Sequence, residues 1–438
     1  MKRKMLHFLV IFIAIALAGC SFQTVDQMYC LPKRSQAYAQ LQQQIDKAMV
    51  GRSYCAPLVG ENQQTVQMVD IDGDGQKEYL VFCVDAGAML QILVFDTAEG
   101  NYYLADVIEG RGYAYDRVEY VQMDDHPGLE LVVGRQISDQ VLRAVSVYSF
   151  AEGMARQLLS AGYTRFLTCD LDADARKELM VLRPGQLDTD NGVAEVYSIK
   201  DGVMERTNEA PMSGPADKLR RIVTGGLHGG QSAVYVGTTV EENAIITDVY
   251  ALVDGQLVNV SLSHDSGTSV QTLRNYYVYA DDIDGDGEVE LPRLITMKPV
   301  SDQDPAKRQY LIRWYAMTTH GTEANKLYTY HNYLSGWYLR LSEEWAPRIS
   351  VTAEENGYGF YLWDSEFQSA KKMFSVFELT GQDREEQAIR DNRFVLYRSE
   401  STIYAAHLEV ASGSIQITQE DLIANFDMLR QDWNTGEM

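Results

Sequence analysis

The chain has 438 residues, enough for two or three ordinary domains or for one large β-architecture. Apolar residues make up 45% and charged residues 23%, which excludes a disordered polymer, and 27 Tyr against 10 Pro suits strands better than linkers. With 62 acidic and 38 basic residues, a formal net charge of −24, nothing offsets phosphate repulsion, so nucleic acid is excluded as a general partner.

The chain opens on a targeting pattern. Lys2, Arg3 and Lys4 precede an uninterrupted apolar run from Phe8 to Ala18, too short to span a bilayer. It ends in Leu17-Ala18-Gly19-Cys20, where small residues admit a peptidase and a thiol follows. This resembles the lipobox of bacterial lipoproteins. The resemblance implies removal of residues 1–19 as a signal peptide and lipidation of Cys20. The body is then held by its lipid anchor on the extracytoplasmic face of the cell membrane. Residues 1–19 carry three basic and no acidic residues, so the mature net charge becomes 35 − 62 = −27. No other run of 18 apolar residues exists to span a membrane.

Residues 20–64 read as an anchor segment with an N-terminal helix over about 35–50. Cys30 and Cys55 flank that helix, either as a bridge that staples it or as two unpaired thiols. Cys83 and Cys169 sit in apolar, strand-like runs and read as core.

A repeat organises the body. Val94-Phe95-Asp96 followed by Gly100 recurs as Val147-Tyr148-Ser149 with Gly153, Val196-Tyr197-Ser198 with Gly202, and Val249-Tyr250-Ala251 with Gly255. Each phrase reads as a strand, an acidic-Gly turn and a strand, which is hairpin chemistry. A short apolar strand precedes each phrase, starting at Glu78, Glu130, Glu178, Ala233 and Glu290. A unit of about 50 residues with four strand-like runs has the size of a propeller blade, and one blade cannot bury both faces, so blades stack in a ring.

Three units place an Asp-rich loop before the apolar strand. The first holds Asp70, Asp72, Asp74 and Glu78; the second Asp170, Asp172, Asp174 and Glu178; the third Asp282, Asp284, Asp286 and Glu290. Carboxylates at positions 1, 3, 5 and 9 of a tight loop can converge on one hard cation, with a backbone carbonyl from position 7 (Gln76, Arg176, Glu288). An oxygen cage of this kind suits calcium (Ca2+) better than zinc or magnesium. An EF-hand needs a carboxylate at position 12, where this chain has Val81, Val181 and Arg293, and helices rather than strands on each side.

These loops resemble FG-GAP/VCBS-type repeats, as in the propellers of integrin α-subunits and many bacterial surface proteins, over about residues 65–345. The resemblance implies a calcium-stiffened β-propeller. Two units depart from the pattern. Asp124 to Gly128 reads as a shortened loop without the regular ligands, and Leu227 to Gln231 carries no carboxylate. Ala173 and Ala175 stand where the family has Gly, which makes the 170–178 loop the weaker one.

The expected fold is therefore all-β, a propeller of six or seven four-stranded blades over 65–412, regular to 345 and irregular over 346–412. Residues 413–438 are expected to hold a C-terminal helix running from Thr418, its N-cap, to Trp433. No HExxH, GxSxG or P-loop occurs, and the histidines are scattered, so no catalytic residue is assigned and the chain reads as a non-enzyme. The preferred function is a calcium-binding surface module for an unidentified protein or glycan. The alternative is a carbohydrate-active lyase or hydrolase, or a lectin, on the same scaffold, with the aromatics of 328–345 stacking on sugar rings; a purely structural envelope protein is a third reading.

Overall fold

A computed structural model describes residues 36–138, 142–185, 191–241, 244–298, 300, 309–364, 369–409, 417–430 and 433. The targeting segment, Cys20 and Cys30 lie outside the described residues. The chain is all-β, built as six antiparallel sheets of four or five strands that follow one another along the sequence. Sheet 1 contains Arg52–Tyr54, Val66–Val69, Glu78–Asp85, Leu90–Ala98 and Asn101–Gly110. Sheet 2 runs from Ala114–Val121 to Arg156–Tyr163, sheet 3 from Arg165–Cys169 to Val203–Pro211, and sheet 4 from Leu219–Gly226 to Gln256–Asn259. Sheet 5 holds Glu290–Thr296, Tyr310–Met317, Glu323–Asn332 and Trp337–Leu341, and sheet 6 spans Ile349–Glu354 to Thr402–Leu408.

The repeated acidic-Gly phrases are the hairpins of these sheets. Glu99-Gly100, Asp201-Gly202 and Asp254-Gly255 each place two successive residues at positive φ, between 50° and 76°. That turn matches the twist of the flanking strands and keeps an antiparallel pair in register.

Strand alternation explains why the sheets stack. Along Glu78–Asp85, Leu80 and Phe82 face sheet 2, while Val81 and Cys83 face the other way. One apolar cluster fills each successive seam, from sheets 1 and 2 through to sheets 5 and 6. Among the described residues none of these clusters joins sheet 6 to sheet 1, which is where a ring of blades would close. Helix α1 (Gln36–Ala48) takes that face of sheet 1, inserting Leu41 and Ile45, one turn apart, against Val81, Cys83, Leu93 and Phe95. At the other end α2 (Arg384–Ile389) packs Ala388 onto Leu379, Ile403 and Ala405 of sheet 6. Both terminal sheets are thus capped by helices.

The C-terminal segment departs from the expected helix over 418–433. Thr418 is the N-cap, with a reciprocal capping box to Asp421, but α3 covers only Gln419–Asn425. The chain then straightens into Phe426–Met428, a fifth strand of sheet 5 that pairs with Trp337–Leu341. Phe426 stacks on Trp337 with ring centroids 5.2 Å apart, and Trp433 stacks on His331 at 5.7 Å. Burying two aromatics in sheet 5 outweighs two more turns of solvated helix.

Candidate metal centres

The three Asp-rich loops lead into Glu78–Asp85, Glu178–Pro184 and Glu290–Thr296, the first two from a paired strand of the same sheet and the third from the bridge of Asp281 to Glu290. Their backbones share a set of hydrogen bonds. Asp70 accepts from Gly73 N at 2.9 Å and Gly75 N at 3.1 Å; Asp282 accepts from Gly285 N at 2.7 Å and Gly287 N at 2.9 Å. Asp170 accepts from Ala175 N at 3.0 Å. The position-9 glutamate turns back to the amide of position 2: Glu78 to Ile71 (2.8 Å), Glu178 to Leu171 (2.9 Å), Glu290 to Ile283 (3.0 Å). The loop folds because short acceptors at positions 1, 3 and 5 satisfy amides that no strand partner can reach.

Positions 4 and 6 sit at positive φ, which glycine supplies at no steric cost in two loops. Gly73 is further fixed by its neighbours, since a Cβ there would meet Gly128 N at 2.5 Å. Ala173 and Ala175 adopt the same conformation at φ 61° and 70°. The Ala substitutions therefore preserve the loop's shape, at about 1–2 kcal/mol of backbone strain each.

The fold brings three carboxylates together in each loop. One oxygen from each of Asp70, Asp72 and Glu78 lies within 4.8 Å of the other two, as do those of Asp170, Asp172 and Glu178, and of Asp282, Asp284 and Glu290. The position-5 carboxylates and the position-7 side chains stand outside these triads. Asp74 accepts from the Gln76 side-chain amide at 3.0 Å, Asp174 is bound by the Arg176 guanidinium, and Asp286 by the Lys326 ammonium. Glu288 also binds Lys326, at 2.6 Å, and accepts from Gly229 N at 2.9 Å.

The electrostatics disfavour bare carboxylates in these loops. Glu78 is 2% exposed and Glu290 fully buried, and Oε1 of each has no hydrogen-bond donor; one buried oxygen of Asp170 likewise lacks one. Burial, then the neighbouring aspartates, push Glu78 and Glu178 up to about 7 and Glu290 up to about 8, against backbone amides that pull the other way. Burial likewise raises Asp72 and Asp284. By contrast, burial opposes ionisation of Glu288, but Lys326, Gly229 and His228 together hold it down to about 2. The donors are all oxygen, and an unpaired buried carboxylate oxygen is costly unless something positive meets it. These clusters can hold a metal ion, and their chemistry fits a hard one.

Sequence reasoning mis-sized one loop. Residues 122–130 match 70–78 one for one, so the second loop is full length rather than shortened. Glu130 accepts from Met123 N at 3.0 Å, repeating the position-9 contact. Burial raises it to about 7 as well. Its interior is filled differently: the Gln122 side-chain amide donates to the carbonyls of Asp124, at 2.7 Å, and His126. The signal available in sequence was Glu130 itself, eight positions after a polar residue. The fourth loop is the short one, with five residues between paired Gly226 and Ser232 where eight separate Val69 and Glu78.

The loops also knit adjacent sheets. Leu129 N donates to Ile71 O at 2.8 Å, Lys177 N to Gln122 O at 2.9 Å, and Val289 N to Gly226 O at 2.9 Å. Beside the short fourth loop a groove of about 790 Å³ opens between sheets 3 and 4, lined by Asp172, Arg176, Ser198, Lys200, Asn208 and Gln231. The aromatic run that sequence offered as a sugar platform is mostly core: Tyr328, Tyr330, Trp337, Tyr338 and Trp345 are buried, and Tyr333 is exposed. Cys83 and Cys169 are buried as expected.

No family model matches the chain, and no curated protein does. Among solved structures the chain is similar to the rhamnogalacturonan lyase YesW, at 12% identity over 72% of this chain and 76% of that one, with a TM-score of 0.30. A Bacillus licheniformis rhamnogalacturonan lyase matches at 9% identity, 74% and 85% coverage and TM-score 0.31. The β-propeller domain of the Trilobed protease from Pyrococcus furiosus matches at 13% identity, 72% and 91% coverage and TM-score 0.27. Overlaps at this level bear on neither substrate nor activity.

Proposed function

We propose that the chain is a lipid-anchored module on the extracytoplasmic face of a bacterial membrane, built from six blades of FG-GAP/VCBS-type repeats and stiffened by calcium. Its surface binds a protein or glycan partner, and it is not an enzyme. The observation that carries this reading is the recurrence, in sheets 1, 3 and 5, of one Asp-Asp-Glu triad with a deeply buried glutamate at the same position. Asp70, Asp72 and Glu78, Asp170, Asp172 and Glu178, and Asp282, Asp284 and Glu290 would hold the ions. Since the loops bond neighbouring sheets to one another, a cation in each would stiffen the seams rather than perform chemistry.

Counting ions by native mass spectrometry tests the metal reading. The full-length protein should carry calcium at millimolar concentration, and Asp72→Ala with Asp284→Ala should remove most of it. A hundredfold excess over Kd adds roughly 2.7 kcal/mol per site to stability. No bound ion, with a melting temperature indifferent to chelator, would reduce the loops to turns. Anchoring is tested separately: Cys20→Ala should release the protein from membranes or block its processing, and unchanged fractionation together with unchanged mature mass would refute it.

A further inference from the structure

We infer that the loops are graded by tethered side chains that stand in for part of the cation's charge, so that 70–78 is the tightest divalent site and 170–178 and 282–290 carry built-in competitors. The inference rests on the metal reading of these loops and goes beyond it by ordering them.

The partner of the position-5 carboxylate changes from loop to loop. In sheet 1 it is a neutral amide: Gln76 Nε2 donates to Asp74, and Thr97 Oγ1 donates to Gln76 Oε1 at 2.8 Å, holding the amide in place. Among the described residues no basic side chain pairs with any carboxylate of this loop. In sheet 3 the same position 7 is Arg176, whose guanidinium grips Asp174 and reaches Asp125 of the neighbouring loop at 2.8 Å. In sheet 5 position 7 is Glu288, which would repel Asp286. Lys326, from the strand Glu323–Asn332, places its ammonium between the two. Sheet 2 completes the series. Its loop has Gln122 at position 1, and the side-chain amide bonds the carbonyls of Asp124 and His126 in the loop's interior.

Two consequences follow for a divalent ion. A fixed positive charge paired with the position-5 carboxylate of the same loop repels it, and that carboxylate cannot turn toward it without breaking an ion pair. A unit charge acting on a divalent ion within one short, largely solvated loop is worth about one order of magnitude in affinity.

Calcium titration of the full-length protein by calorimetry, with Asp72→Asn, Asp172→Asn and Asp284→Asn assigning each event to its loop, tests the order. Asp72→Asn should abolish the tightest event. Arg176→Gln, which gives loop 170–178 the side chain of loop 70–78, should tighten its event about tenfold, and Lys326→Met should do the same for 282–290. Lys326→Arg should keep the weak affinity. The reciprocal change Gln76→Arg should weaken the tightest event by a similar factor. Gln76 is exposed and Arg176 partly so, and neither belongs to a core cluster, so both variants are expected to fold. Should Lys326→Met lower the melting temperature in chelator, a larger calcium-induced rise than in the parent still supports competition, and an equal or smaller rise overturns it. If the parent binds calcium and the substitutions leave the affinities unchanged, the grading is wrong and the metal reading stands. If neither parent nor variants bind calcium, both fall.

Discussion

Replacing Trp337 with alanine should destabilise the fold by about 3–5 kcal/mol, the usual range for deleting a buried tryptophan. The residue is fully buried in the seam between sheets 5 and 6, with ring centroids of Phe426, Tyr330 and Tyr358 at 5.2, 5.6 and 5.8 Å. Its indole N–H donates to Glu378 at 2.7 Å, so truncation also strips a donor from a half-buried carboxylate. Trp337→Phe keeps most of the apolar area and loses the donor, and should cost about 1–2 kcal/mol. Denaturant midpoints of the two variants separate packing from hydrogen bonding. A loss under about 1 kcal/mol for the alanine variant would mean that the seam does not hold sheets 5 and 6 together.

In chelator, the melting temperature should fall as pH is raised from 5 to 9. Glu78, Glu130, Glu178 and Glu290 have an ordinary value of 4.5 and are raised to about 7 or 8 by burial. A carboxyl raised in this way binds its proton more tightly in the native state. Its contribution is therefore complete below the unfolded value and is lost as pH passes through 7 to 8. Glu288, held near 2, and Asp286 and Asp174, lowered by Lys326 and Arg176, act in the opposite sense. Their contribution is present above the unfolded value and disappears only in acid, so it is constant over this window. Calcium requires the ionised glutamate and binding expels its proton, so excess calcium should flatten the decline at Glu78, Glu178 and Glu290. Glu130, whose loop is closed by Gln122, should keep titrating in both conditions. Melting curves at pH 5, 7 and 9 with and without calcium give the comparison. A chelated protein equally stable at pH 5 and 9 would show that these glutamates are solvated.

Much of this architecture is legible in the residues. The acidic-Gly pairs at 99–100, 201–202 and 254–255 announce hairpins because few other dipeptides accept two successive positive φ values. The Asp spacing announces the triads because alternate positions of a tight loop face one point. What stayed hidden depends on contacts distant in sequence. Lys326 neutralises Asp286 from another strand, and no local pattern connects them. The loop at 122–130 was misjudged because Gln and His replace Asp at positions 1 and 5, so its length was masked by its composition. The strand Phe426–Met428 looked helical because its capping box is real, whereas the partner that ends the helix, Trp337–Leu341, lies before the whole of sheet 6.

That late pairing sets an order of assembly. Sheets 1 to 4 each draw their strands from one continuous stretch, so each can close without waiting for the chain that follows. Sheet 5 cannot. Its outer edge, the face of Trp337 that meets Phe426 and the face of Trp314 that meets Trp433 stay open until residues 426–433 have been made, with all of sheet 6 synthesised in between. Among the described residues this is the strand pairing with the widest separation in sequence, so the largest loop-closure entropy of those pairings falls on it, which makes it the natural bottleneck of folding. A chain arrested anywhere in sheet 6 would display an unpaired edge and half-covered tryptophans, the kind of surface that invites aggregation and by which chaperones recognise unfinished protein.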